Sequence, residues 1–167
     1  MAGSGADPGP VDYIARTRET YARLGYQAYS WVVSEDDPPL ARLPKPLSEC
    51  RLGLASSGGV YRVGQIAFHY KDDTTLRAID SSVSLSDLRA THFAYDTTDA
   101  RRDPNCVIPL GALRALVDEG KVGRLAPTVF GFMGGIYSKR RVRTELADRL
   151  AQRMRAEEVD AVLLVPV

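Results

Sequence analysis

Apolar positions recur in two rhythms along the chain, and most elements can be read from which rhythm holds. Over residues 11–24 (VDYIARTRETYARL), Ile14, Thr17, Tyr21 and Leu24 fall at helical spacing. Asp12 stands where an N-cap belongs and Gly25 where a helix ends, so the pattern predicts an amphipathic helix. Residues 34–48 hold four prolines and read as an extended surface crossing. Residues 50–56 (CRLGLAS) read as a strand that runs into Ser57-Gly58-Gly59, where the chain must turn. Residues 65–70 and 76–79 read as short strands around the polar turn 71–75. Residues 88–95 read as a further strand, with Arg89, Thr91, Phe93 and Tyr95 alternating against Leu88, Ala90, His92 and Ala94.

The second half is more regular. Residues 110–119 predict a short helix that buries Leu113, Leu116 and Val117 and ends at Gly120. Residues 127–133 (PTVFGFM) form an apolar run of strand length that stops at Gly134-Gly135. Ser138 can cap a long helix in which Val142, Leu146, Leu150 and Met154 make an i+4 row beneath an Arg-rich polar face. Residues 159–167 (VDAVLLVPV) are continuous enough to predict a strand buried on both faces.

Three apolar strands separated by helices, with connections too long for hairpins, argue parallel βαβ units. The expected fold class is therefore α/β, a parallel central sheet with flanking helices of the doubly wound type. Residues 1–10 read as a disordered tail, 11–48 as a helix and Pro-rich crossing, and 49–167 as the α/β domain, incomplete at its C-terminal end. No internal repeat is visible. Open parallel sheets place ligands at the carboxyl ends of their strands, which directs attention to residues 57–59, 134–135 and 165–167.

Charge narrows the partners. Lys and Arg number 22 against 21 Asp and Glu, a net +1, without the basic excess of a nucleic-acid or anionic-membrane binder. The longest apolar run, residues 161–167, is far short of the ~20 residues that span a bilayer. The start MAGSGADPGP lacks the basic and apolar regions of a signal peptide, so a cytoplasmic location is expected. Cys50 and Cys106 form no CxxC and no metal spacing; each reads as a buried small hydrophobe or an unpaired thiol, and no metal site is expected.

Two kinds of segment could carry chemistry. Ser57-Gly58-Gly59 can bring backbone N–H groups to an anion or a substrate carboxylate, and can equally be a tight turn; Gly134-Gly135 is open to both readings too. Neither fits a Walker loop or GxGxxG. Residues 91–106 gather His92, Asp96, Asp99, Arg101, Arg102, Asp103 and Cys106. A histidine near carboxylates can move protons and an arginine can clamp a carboxylate, while Asp-Thr-Thr-Asp and Asp-Pro-Asn are also turn and cap sequences. There is no GxSxG elbow. The expected cleft brings Ser57 to Gly59, Gly134-Gly135 and Val167 together, with His92 or the Asp96 to Arg102 segment facing them.

The runs HFAYDTTDARRDPNC (92–106), SSGGVY (56–61) and GFMGGIYS (131–138), with the opening YIARTRETYARLGY and the closing VDAVLLVPV, resemble the selenoprotein B family of glycine/betaine/sarcosine/D-proline reductases, the D-proline type most. The resemblance covers residues 13–167. It implies a subunit that reductively cleaves a carbon–nitrogen bond of a small amine or amino acid. Electrons come from a thiol donor, a selenocysteine does the redox chemistry, and a pyruvoyl group on a partner subunit holds the amine. The chain departs from the family pattern at one point. The redox residue belongs immediately after Val165-Pro166-Val167, and neither Cys50 nor Cys106 stands there. This chain is therefore expected to hold no catalytic residue and no cofactor of its own, with Cys106 as a candidate resolving thiol. On this reading codon 168 is a UGA read as stop, and the 167-residue chain alone is inactive and marginally stable. Two alternatives remain open here, a non-catalytic binding or partner subunit of such a complex and an unrelated nucleotide-binding α/β domain.

Overall fold

In the computed structural model, residues 12–25, 27, 33, 35–37 and 41–167 are described, and the chain divides into two compact units, Met1–Ala41 and Arg42–Val167. In the first unit, α1 (Tyr13–Arg23) forms where the apolar spacing predicts it. Asp12 accepts a hydrogen bond from Ala15 N at 3.0 Å as N-cap, and Gly25 takes φ +77° just past the helix end. The tail expected over residues 1–10 lies outside the described residues, as do residues 34 and 38–40 of the Pro-rich crossing.

The second unit is built on β1 (Arg51–Ser56), which is buried on both faces. Leu52 and Leu54 point into the larger core with Val60, Ile79, Ile108 and Leu110. Ala55 belongs to a second cluster with Phe130 and Met154. Small residues on that face let a helix approach closely: a Cβ at Gly53 would stand 2.7 Å from Met154 Sδ. After β1 come β2 (Val60–Arg62), β3 (Arg77–Asp80), β4 (Leu88–Ala90), α2 (Thr98–Arg102) and α3 (Leu110–Asp118). Then follow β5 (Arg124–Leu125), β6 (Thr128–Gly131), α4 (Lys139–Arg141), a π-helical turn (Val142–Leu146), α5 (Ala147–Ala156) and β7 (Ala161–Val165).

The main sheet has five strands. β5 lies parallel to the start of β1, β6 parallel to its end, and β7 parallel along Leu52–Ser56. β3 closes the far side of β6 in antiparallel register, Ile79 opposite Val129. β2 and β4 form a separate antiparallel pair. The fold is thus α/β with a mostly parallel sheet.

Four sequence expectations need correction. Residues 65–70 are not a strand: the alternation of Ile66, Phe68 and Tyr70 finds no backbone ladder, and the segment is tied down by side chains instead. The strand expected over 88–95 ends at Ala90: Thr91 N still reaches Gly59 O at 3.0 Å in register with β2, but Gly59 belongs to the turn after β1, and residues 92–95 find no strand partner. The long helix is interrupted by the π-helical turn, although its i+4 row holds, with Leu146 and Met154 buried. β7 is not covered on both faces; Val162 and Leu164 are 42% and 59% exposed, and Leu163 on the opposite face is exposed too.

Candidate functional site

The carboxyl ends of β1, β6 and β7 meet at one place. Ser57 N donates to Val165 O at 3.0 Å, and Ser57 Oγ accepts from Val167 N at 2.9 Å. A Cβ at Gly134 would lie 3.2 Å from both Ser57 Oγ and Val167 O, so this glycine admits the approach of the two segments. Gly58 forms an isolated antiparallel bridge with Met133. Gly59 takes φ +65°, donates its N–H to Phe132 O at 3.0 Å, and leaves no room for a Cβ against the Thr91 carbonyl. Ser57 to Gly59, Gly134 and Val167 therefore converge as expected.

The turn is not an anion nest, however. Ser57, Gly58 and Gly59 all spend their N–H groups inside the protein, on Val165 O, Ser56 Oγ and Phe132 O. What the glycines supply here is close packing of backbone. Ser56 anchors the turn from below: fully buried, it donates to Val107 O at 2.6 Å and accepts from Gly58 N at 3.1 Å.

An aromatic group lies across the two glycine turns. Phe93 packs on Gly135. Tyr95 donates its hydroxyl to Gly58 O at 2.8 Å. His92 stacks against Phe93 and lies 4.7 Å from the Tyr95 ring, centroid to centroid. Burial lowers the His92 pKa below its ordinary 6.5, which favours the neutral ring. His92 Nδ1 accepts from Ala94 N at 3.0 Å, so the neutral ring carries its proton on Nε2. That Nε2 is buried and has no partner among the described residues. A buried donor without an acceptor is costly to maintain, and His92 Nε2–H is the group here best suited to receive a ligand's acceptor atom.

The remaining candidates from the same segment separate from it. Asp96 closes a local turn just ahead of α2, accepting from Thr98 Oγ1 at 2.7 Å and Thr98 N at 2.9 Å; these two bonds hold its pKa below the ordinary value. Asp99 and Arg102 pair with each other at 3.4 Å on the open surface, and Arg101 is exposed. Burial first, then the charges of Asp103 and Asp99, push the exposed Cys106 thiol above its ordinary 9.0. That is the reverse of an activated cysteine. Cys50 is a buried free thiol whose Sγ donates to Lys45 O at 3.5 Å. Tyr95 was not legible as a site residue; an alternating strand hides which aromatic will reach back to a glycine carbonyl. No group of three or more His, Cys, Asp or Glu able to hold a metal occurs among the described residues. No helix among them is long and apolar enough to cross a membrane.

Comparison with known proteins gives these residues a context. A family profile described as glycine/sarcosine/betaine reductase selenoprotein B matches residues 32–167. The chain is 31% identical over 140 residues to D-proline reductase subunit gamma of Acetoanaerobium sticklandii, covering 84% of this chain and 58% of that one. It is 29% identical over 133 residues to glycine reductase complex component B subunit gamma of Symbiobacterium thermophilum, covering 77% and 30%. With betaine reductase complex component B subunit beta of Peptoclostridium acidaminophilum it shares 24% over 142 residues, covering 80% and 31%. It therefore spans 58% of the first of these relatives and about a third of the other two. No solved structure matches it.

Proposed function

This chain belongs to the glycine/sarcosine/betaine reductase selenoprotein B family, and from that premise we propose that it is the N-terminal portion of a reductase subunit acting on a small amine or amino acid. The reaction is reductive cleavage of the carbon–nitrogen bond at the α-carbon. A dithiol gives up two electrons and two protons and becomes a disulfide; the C–N bond breaks, the α-carbon gains a hydrogen, and the nitrogen takes up the other proton, departing as an amine or, from a ring, staying in the opened product. Family membership sets aside the reading of an unrelated nucleotide-binding domain.

One observation carries the proposal: Val167 is bonded to Ser57 beside Gly134, at the shared carboxyl end of β1, β6 and β7. A redox residue immediately after Val167, selenocysteine on this reading, would emerge into the corner that His92, Phe93 and Tyr95 overhang. Selenocysteine would supply a nucleophile that is also a good leaving group when a thiol resolves the mixed species. The chain's own residues would do the rest. Ser57 fixes where the strand end emerges, the glycines let the turns close on one another, and neutral His92 offers Nε2–H to a substrate acceptor such as a carboxylate. The substrate amine would be held by a pyruvoyl group on a partner subunit. Among the relatives, the glycine and betaine reductase proteins are named as subunits of complexes.

The test is turnover by the assembled protein. The gene product, made in a selenocysteine-inserting host with its pyruvoyl-type partner and supplied with a dithiol, is offered D-proline, glycine, sarcosine and betaine in turn. Dithiol-dependent loss of one of them is expected, with kcat reduced in His92→Gln. An assembled complex that consumes none overturns the reductase reading. Substrate binding without turnover would make the chain a non-catalytic binding subunit.

A further inference from the structure

Gly134 and Gly135 open a short loop, residues 134–138, that leads from the corner to the start of α4. Its first end is fixed within the corner: Met133 bridges Gly58, Phe132 N donates to Ser56 O at 2.9 Å, and Phe132 O accepts from Gly59 N at 3.0 Å. Inside the loop Ile136 N donates to Gly134 O at 2.9 Å, a three-residue turn. The other end is held from a distant part of the chain, the polar turn 71–75. A single oxygen of Asp72, Oδ1, accepts from Tyr137 N at 2.7 Å and from Ser138 N at 3.3 Å. Asp72 stands 65 positions before Tyr137, so no local turn chemistry requires this contact.

The turn that carries Asp72 is itself braced. Arg141 donates to Asp72 O at 2.7 Å and to Thr74 Oγ1 at 3.0 Å, and it pairs with Glu145 at 3.0 Å. Thr74, buried, closes the ring by donating its hydroxyl to Glu145 at 2.9 Å. Two irregularities meet in this brace. Asp72 takes φ +46°, the left-handed region that an L side chain enters at a cost. Immediately beyond Arg141 the helix leaves α geometry for its π-helical turn, Val142–Leu146. Strained residues persist where their surroundings over-determine them, and both strain and π-turns gather at functional sites. Glycine would meet φ +46° without that cost, but it would leave the two loop amides without their acceptor.

We propose that Asp72 is a positioning residue for the corner formed by Ser57, Gly134 and Val167, its carboxylate setting where the 134–138 loop lies against the end of β7. Held at Met133 and at Tyr137, the loop keeps Gly134 against Val167 O and Gly135 against Phe93. With the carboxylate gone, the loop is free to lift from both, and the strand end loses the wall that Gly134 gives it. The proposal rests on the reading of this corner as the place where the redox residue emerges. Reacting groups displaced there by about 1 Å can lose ~10²-fold in rate.

Two variants separate the carboxylate from the backbone. Asp72→Gly suits the left-handed turn and keeps the main-chain bond to Arg141, and it deletes the acceptor. Asp72→Asn keeps an acceptor oxygen in the same place and tolerates that conformation. Amide exchange is followed residue by residue by NMR in the 167-residue chain, and turnover is measured in the assembled protein. Asp72→Gly is expected to speed exchange at Tyr137 and also, by about threefold or more, at Val167 N, whose own partner is Ser57 Oγ. It should lower kcat about tenfold while KM moves less than about twofold. Asp72→Asn should stay within about twofold of wild type in every measurement. Faster exchange at Tyr137 with Val167 unchanged would confine Asp72 to local structure and overturn the proposal, with the reductase reading intact. An unchanged kcat in Asp72→Gly, or an Asp72→Asn that behaves as Asp72→Gly does, overturns it equally. If the wild-type assembly turns nothing over, the reductase reading fails and the positioning role fails with it.

Discussion

Two adjacent serines at the end of β1 should respond oppositely when reduced to alanine. Ser56 Oγ donates to Val107 O at 2.6 Å and accepts from Gly58 N at 3.1 Å, with no exposure to solvent. Alanine would leave a carbonyl and an amide buried and unpaired, a loss of about 2–6 kcal/mol at 1–3 kcal/mol for each unsatisfied group. Ser57 Oγ accepts from Val167 N at 2.9 Å and donates to Val167 O at the outer limit of 3.5 Å. Val167 is 42% exposed, so water can replace the lost partner; Ser57→Ala should cost only about 0.5–1 kcal/mol. At roughly 2–4 °C per kcal/mol for a chain this size, Ser56→Ala should lower Tm by about 4–24 °C and Ser57→Ala by about 1–4 °C. On the proposed reading, turnover by the assembled protein should rank them the other way at a temperature where both are folded, because Ser57 fixes the strand end. Thermal melts followed by circular dichroism and turnover on the same preparations make the comparison. A Ser57→Ala variant that melts lower than Ser56→Ala, or retains full activity where Ser56→Ala loses it, would refute the division of labour.

Other substitutions probe the same end of the sheet. Gly59→Ala forces a side chain into φ +65° against the Thr91 carbonyl and should cost about 2–4 kcal/mol, combining the left-handed penalty of 1–2 with overpacking; urea unfolding measures it. Burial lowers the His92 pKa from 6.5, so the unfolded chain binds the extra proton first. Its contribution to stability is present above 6.5 and lost as pH falls from there toward the folded value. His92→Gln should remove that part of the slope in urea titrations across this range. Cys106, pushed above 9.0, should alkylate slowly with iodoacetamide at pH 7, and its pH–rate curve should still be rising at 9.

Which elements were legible follows from where their partners lie. β1, α3 and the row Val142, Leu146, Leu150, Met154 carry their burial in their own spacing and form where that spacing puts them. The segment 65–70 alternates as a strand would, but an alternating run pairs only if another backbone is alongside; Gln65 and Arg77 hold it by side chains instead. Val162, Leu163 and Leu164 read as doubly buried, and the pattern records the apolar character of that strand rather than what lies against it here. At the site, glycine pairs at strand ends and a histidine in a dense polar run were visible in the sequence. That Asp96 closes a turn onto Thr98 and Asp99 pairs with Arg102 is local turn chemistry, and spacing alone could not separate it from catalysis. The reach of Tyr95 to Gly58 O spans 37 positions and had no local signal.

The titratable groups around Gly58 are all biased toward their uncharged forms. Burial lowers the His92 pKa and raises that of Tyr95; burial and nearby carboxylates raise Cys106. Such surroundings suit the recognition of a small polar substrate by neutral donors, and they oppose the ionisation of an ordinary thiol. On the proposed reading, the residue after Val167 enters this environment and must be an anion to attack. A cysteine there would be pushed further from ionisation at neutral pH, whereas a selenol starts low enough to remain ionised. Replacing that residue by cysteine should therefore move the acid limb of the kcat–pH profile upward as well as lowering kcat. An equal fall at every pH would mean that leaving-group ability, not ionisation, is what selenium contributes here.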